Sequence, residues 1–357
     1  MGAEYSRPLD QLRGADERLF GGKSAALGEL IGSQIPVPPG FAVSVTAFQA
    51  FLEGAGLEER IAQELSGLDP ADVEAVRAAS TAIVDAVRAA PLPEAIAAEV
   101  AQRYSELAAP GSEAGPPVAV RSSALGEDSA EAAFAGQQET YLWVRGVDSV
   151  CTALRDCWAS LYSPEAISYR ARMAAEQSPA MGVAVQRMVD AAVSGVTFTC
   201  NPVNGDPSTV AVNASWGLGL AVVSGEVTPD EYRVSKVTGE VLQQTVGPKQ
   251  VEYLPDPAGG GTVRAQVPAE RQEEPCLDEE QLSLLVDLAR RIERHFGSHQ
   301  DIEWAIARVG DLPESLFVLQ SRPVTTSPPK DAGATRRQSA MALVMSTFGA
   351  ARDAPKR

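Results

Sequence analysis

Residues 276–297, CLDEEQLSLLVDLARRIERHFG, constrain the fold more than any other stretch of the chain. Leu282, Leu285, Val286, Ala289, Ile292 and Phe296 recur at helical spacing and form one apolar stripe. Asp278 with Gln281 three residues later has the form of a capping box, and Gly297 is placed to end the helix. The segments DIEWAIA (301–307) and SLFVLQSRPV (315–324) follow directly and read as two antiparallel strands. A capped amphipathic helix leading into a strand pair sets a mixed class, α+β or α/β.

The rest of the chain agrees with that class. FAVSV, VAVRSS, QETYLWV, MGVAVQRMV, GVTFTCNP and TVAVNASW read as further strands. Residues from about 50 to 108 are Ala/Glu/Leu-rich and helical, broken at Pro91 and Pro93, and 148–178 also read as helix. Residues 216–230 form a Gly-rich loop, and 256–275 are expected to be an exposed insertion. From Thr326 the tail is polar, with MALVMSTF as a candidate short helix. The organisation expected is an N-terminal lobe over 1–182, holding the helical segment, a C-terminal lobe over 183–325, and a flexible tail or linker over 326–357.

A net charge of −17 argues against nucleic acid as a partner, since phosphate backbones need a basic face. No apolar run of about 18 residues is present, so no membrane partner is expected. The N-terminus lacks the apolar stretch of a secretion signal. The four cysteines have no C-x-x-C spacing, which favours reduced thiols and a cytoplasmic location. Only five lysines stand beside 25 arginines, so a compact ammonium at Lys23 is a candidate for chemistry.

Lys23 sits in LFGGKSAALGEL, which imitates the end of a P-loop. That motif needs a glycine five positions before Gly22, and Glu17 stands there instead, so the P-loop reading fails. In VAVRSSALGEDSAEAAFAGQQETYLWV (118–144), a strand delivers Arg121 into a loop of small residues. Small residues allow a ligand to approach the backbone, and an arginine can fork onto phosphate oxygens. Ser122, Ser123 and Thr140 add hydroxyl donors, and Gly136 an unobstructed N–H. The alternative is a surface loop with a solvated arginine. Near the end, Glu303, Gln320 and Arg322 share one face if 301–307 and 316–324 are neighbouring strands. A carboxylate and an amide oxygen suit Mg²⁺ shared with phosphates, and an adjacent arginine would neutralise developing charge. The alternative there is a polar pair on a wet sheet face.

Taken in order, LFGGKSAALGEL with VPPGFAV, the 118–144 segment, VAVQRMV with GVTFTCNP, WGLGLAVVSGEVTPDEY, and DIEWA with LQSRPV resemble one family. It is the ATP-binding N-terminal module of phosphoenolpyruvate synthase and pyruvate phosphate dikinase, found also in rifampin phosphotransferase and phenylphosphate synthase. The resemblance covers roughly residues 10–325. It implies an ATP-grasp fold, whose two lobes clamp ATP. It also implies that Lys23 and Arg121 hold phosphates, and that Gly136 and Thr140 contact the β/γ region. Gln186 to Val189 would lie beside adenine, with Met188 or Val189 packing on the ring. Glu303 and Gln320 would bind Mg²⁺, and Arg322 would meet the transferring phosphoryl group. Leu220 departs from the family's usual Gly-Leu-Gly-Glu.

The complete enzymes of this family continue into a swivelling domain with a phosphorylatable histidine. Here only His295 and His299 occur, in RHFGSHQDIEW, without that context. The function expected is therefore the ATP- and Mg²⁺-binding component of a dikinase-type phosphotransferase. It would pass a pyrophosphoryl or phosphoryl group to a histidine on a separate domain or subunit, and from there to a small-molecule acceptor. A self-sufficient small-molecule kinase or ligase and a non-catalytic ATP-sensing module are the alternatives.

Overall fold

A computed structural model of the chain describes residues 4–108, 115–124, 139–172 and 179–324. Gly136 and the tail from Thr326, with its candidate helix, lie outside the described residues. The chain divides into two compact units. The first comprises Met1–Glu29, Pro39–Met188 and Ala258–Gly261, the second Leu30–Pro38, Val189–Pro257 and Thr262–Arg357. Among the described residues no helix is long and apolar enough to cross a membrane.

The first unit is built on strands β1 (Ser6–Pro8), β2 (Gly40–Val43), β3 (Val118–Ala124), β4 (Thr140–Val144) and β5 (Met181–Arg187), in the order β1-β2-β5-β3-β4. Every neighbouring pair is antiparallel. Side chains alternate along a strand, so Phe41, Val43, Val118, Val120, Val183 and Val185 share one face. That face joins a core with Phe48, Phe51, Ile83, Val87, Leu154 and Trp158 from the helices Val45–Gly54, Val73–Ala89 and Val147–Ser160. Phe51 stacks on Trp158 with ring centroids 5.1 Å apart. The helices Val73–Ala89 and Glu94–Glu106 are separated at Pro91 and Pro93, where proline withholds the N–H a helix interior needs.

The second unit carries β6 (Ala191–Phe198), β7 (Thr209–Trp216), β8 (Asp230–Ser235), β9 (Val241–Thr245), β10 (Val251–Pro255), β11 (Thr262–Gln266), β12 (Gln300–Ala307) and β13 (Leu316–Pro323). Six of them form a sheet in the order β13-β12-β6-β7-β8-β9, again antiparallel throughout. With every described pairing antiparallel, the α+β class stands and the parallel α/β form does not occur. The helix Glu279–Phe296 packs against β6 and β12 and buries Leu282, Leu285, Val286, Leu288, Ala289 and Ile292. Asp278 accepts from the Gln281 amide at 2.8 Å, and Gly297 closes the helix at φ +68°. Phe296, expected in the stripe, is only partly buried, and Leu288 is covered in addition.

Residues 256–275 are largely exposed, as expected, but they are not without regular structure. They contain β11, which pairs with β10, and a short helix, Ala269–Gln272. The segment is fastened by Lys249, which is fully buried with Asp230. Lys249 Nζ donates to Asp230 Oδ1 at 2.5 Å, to the Gly247 carbonyl at 2.9 Å and to the Gln272 carbonyl at 3.1 Å. Asp230 also accepts from the amides of Gly247 and Cys276. All four cysteines are free, and burial pushes the Cys157 and Cys276 thiols well above their ordinary value.

A second ion pair fixes the long helix. Lys236 Nζ lies 2.8 and 2.9 Å from the two carboxylate oxygens of Glu293 and also donates to the Thr199 carbonyl. His299 Nδ1 lies 2.5 Å from Glu293 Oε1. Burial pushes the Glu293 carboxyl up, but hydrogen bonds from Lys236 and His299 outweigh it and hold it below its ordinary 4.5. A depressed carboxyl stabilises the fold above its unfolded value, and that contribution is lost as pH falls through the folded value. Stability is therefore expected to fall as pH drops below about 4.5, and Lys236→Met should flatten that acid slope. Urea unfolding midpoints measured across the acid range check this; an equally steep slope in the variant would contradict it.

Candidate functional site

In the first unit, the sheet face opposite the helical core carries Arg121, Thr140 and Gln186. Arg121 stands directly across from Thr140 on β4 and Ala184 on β5, and Gln186 pairs with Ala119 and Gly40. The same face carries Ala42, Ala119, Ala184, Gly40 and Gly182, and part of it is covered by the chain itself: a Cβ at Gly182 would lie 2.3 Å from the Phe20 carbonyl oxygen, and one at Gly40 2.8 Å from Leu9 Cδ1. Gln186 is 2% exposed, and its Nε2 has no hydrogen-bond partner among the described residues. A buried amide donor without a partner is costly unless a ligand satisfies it.

The Gly21-Gly22-Lys23-Ser24 turn docks onto β3. Lys23 Nζ donates to the Ser122 carbonyl at 2.8 Å, and the Ser24 amide donates to Ser123 Oγ at 3.2 Å. Gly21 has φ +82°, and a Cβ there would lie 1.9 Å from the Ser123 carbonyl oxygen. The first glycine is thus required by conformation and by contact. Lys23 is the second residue of the helix Gly22–Gly32 and is 3% exposed. Two motifs read separately in the sequence, GGKS and VRSS, are one structural unit.

Met188 is partly buried, its amide donating to the Pro117 carbonyl at 2.9 Å. Val189, 9% exposed, begins the next stretch of the second unit, so the chain passes between units at this peptide bond.

In the second unit, Glu303 of β12 lies directly opposite Gln320 of β13, and Asp301 directly opposite Arg322. The four side chains therefore stand on one face, in two adjacent cross-strand pairs. Arg322 Nε donates to Asp301 Oδ2 at 3.0 Å, with the two side chains 10% and 4% exposed. Gln320 is buried and Glu303 half-buried. A register shift follows Glu303, so the pairing breaks step immediately beyond this cluster. Asp301 was not singled out in the sequence, although it sits two residues before Glu303, the spacing that puts both on the same face.

The Gly-rich segment folds tightly beside this sheet. Gly217 has φ +71°, and a Cβ there would meet the Tyr253 carbonyl oxygen at 2.6 Å. Leu220 opens the helix Leu220–Val223, whose Ala221 and Val222 pack on Val196 and Phe198. Trp216 is engaged in packing: its Nε1 donates to the Arg271 carbonyl at 3.0 Å, and the Arg271 guanidinium lies 4.3 Å over its ring. His295 is exposed in the last helical turn, with Ser33 Oγ 2.9 Å from its Nδ1.

Residues 17–342 match the pyruvate phosphate dikinase AMP/ATP-binding domain family. The chain is 39% identical over 336 residues to a probable phosphoenolpyruvate synthase of Staphylothermus marinus, covering 88% of this chain and 40% of that protein. It is 40% identical over 324 residues to a probable phosphoenolpyruvate synthase of Methanothermobacter thermautotrophicus, covering 90% of this chain and 46% of that protein. It is 43% identical over 311 residues to a rifampicin phosphotransferase of a Streptomyces species, covering 86% of this chain and 34% of that protein. The chain thus spans less than half the length of these relatives. With most of its length matched, the chain belongs to the pyruvate phosphate dikinase AMP/ATP-binding domain family.

Proposed function

We propose that this chain is the ATP-grasp component of a dikinase-type phosphotransferase, binding Mg-ATP and delivering a phosphoryl or pyrophosphoryl group to a histidine on another domain or subunit. A small molecule would be the final acceptor. The observation that carries this reading is the paired arrangement on β12 and β13, Glu303 opposite Gln320 with Arg322 next to it. Two oxygen donors side by side suit a hard cation that takes its remaining ligands from phosphate and water. Glu303 and Gln320 would hold Mg²⁺, which when bound offsets phosphate charge.

Arg322, oriented by Asp301, would face the transferring phosphoryl group. In the first unit, Lys23 and Arg121 would bind phosphate oxygens, with Thr140 as a further donor, and Gly136 is assigned the same region by the resemblance alone. Gln186 has an amide donor awaiting a partner, which supports a hydrogen bond to the base, with Met188 and Val189 beside it. The protein would act by position and charge neutralisation, as phosphoryl transfer requires. The location expected is cytoplasmic.

Calorimetric titration of ATP, with and without Mg²⁺ and with AMP and phosphate release assayed in parallel, tests this reading. Metal-dependent binding with little turnover by the chain alone is the expected result. Multiple turnover without any histidine-bearing partner, or no nucleotide binding, would overturn it.

A further inference from the structure

Strand β9 is the outermost strand of the six-stranded sheet, paired on one side with β8. Every residue from Glu240 to Val246 is exposed. Among the described residues, Val241 to Val246 make no backbone hydrogen bond beyond the β8 ladder. Three of them are large and apolar: Val241 is 42% exposed, Leu242 57% and Val246 37%. A register shift opposite Arg233 and Val234 makes Leu242 the extra residue on this strand.

An edge of this kind is a template for another strand, and proteins ordinarily guard it with lysine, proline or inward charge. Here VLQQTVGP, residues 241–248, carries no charge at all in a chain where 22% of residues are charged. Pro248 lies beyond the strand, and the nearest charged residues are Glu240 and the buried Lys249.

We propose that β9 pairs antiparallel with β9 of a second copy of this chain, joining two six-stranded sheets across a two-fold axis. An antiparallel edge is self-complementary, so one surface serves both partners. With the axis at Gln244, Leu242 of each copy faces Val246 of the other, and Gln243 faces Thr245. Leu242 and Val246 then cover one another in cross-strand pairs, with Val241 opposite Gly247. No like charges are opposed, because Glu240 faces Pro248. In a chain of net charge −17 this neutral stretch is where two copies can approach with little repulsion. The paired segment is short, so association is weak and concentration-dependent.

Sedimentation velocity over a concentration series tests the proposal. The wild-type chain shifts toward twice its mass as concentration rises. Leu242→Lys and Gln244→Pro each abolish the shift while far-ultraviolet circular dichroism stays unchanged. Val309→Lys, at a position 83% exposed outside the edge, adds the same charge and leaves the shift intact. A monomer at every concentration, a dimer that survives Leu242→Lys, or equal loss in Val309→Lys overturns the proposal.

Discussion

Arg322→Ala is expected to raise the Mg-ATP dissociation constant roughly ten- to a hundredfold, from the 1.5–3 kcal/mol carried by a hydrogen bond to a charged group. AMP, which lacks the phosphates this arginine would meet, should bind as before. The same change also weakens the fold. Arg322 neutralises Asp301, which is 4% exposed, and a buried carboxylate left without its cation costs about 3–5 kcal/mol. The Asp301 contact thus gives Arg322 a structural role beside the proposed one.

A second variant separates the two effects. Arg322→Ala combined with Asp301→Asn removes the stranded charge, so it should recover much of the lost stability while Mg-ATP affinity stays low. Thermal unfolding and calorimetry on both variants check this. If ATP and AMP weaken together, the effect is structural. If neither changes, Arg322 is not a phosphate ligand, and the proposed assignment of the β12–β13 cluster fails with it.

The parts of the molecule legible in the sequence were those with a period. The long helix was readable because its apolar stripe and both caps are local features. The β12–β13 pair was readable because two consecutive strand patterns, with residues 308–315 between them, pair most simply side by side and antiparallel. The Glu303–Gln320 pair followed from that register. Asp301 obeys the same alternation but was not singled out, and its contact with Arg322 is what distinguishes it.

The docking of Lys23 on Ser122 was hidden for a different reason. It joins residues 99 positions apart, and nothing in either segment names the other. The exposure of residues 256–275 was legible but their regular structure was not, because β11 and the helix after it are short, polar and without a clear repeat. β11 is held by its ladder with β10, and the following short helix by the bond from the buried Lys249 to the Gln272 carbonyl. The scarcity of lysine was a sound signal read too narrowly. Lys23, Lys236 and Lys249, the three lysines among the described residues, are each buried or ion-paired. In this chain a compact ammonium serves interior positions, of which position 23 is only one.

Lys249→Met should cost about 3–5 kcal/mol of stability, in the same range as Arg322→Ala. The reason is asymmetry. Asp230 and Lys249 are both fully buried, and Lys249 satisfies Asp230 together with two backbone carbonyls. Methionine fills a similar volume but leaves the Asp230 charge to the amides of Gly247 and Cys276 and the hydroxyl of Tyr232. It also leaves the Gly247 and Gln272 carbonyls without that donor, which loosens the attachment of the segment carrying β11. Hydrogen exchange in residues 262–277 should therefore rise more than in β12 or β13. The double variant Lys249→Met with Asp230→Asn should cost less than the sum of its single changes, since contacting partners are not additive. Urea unfolding of the three variants measures that coupling. Additive losses would mean that the two groups act independently and that the ion pair does not fasten the segment.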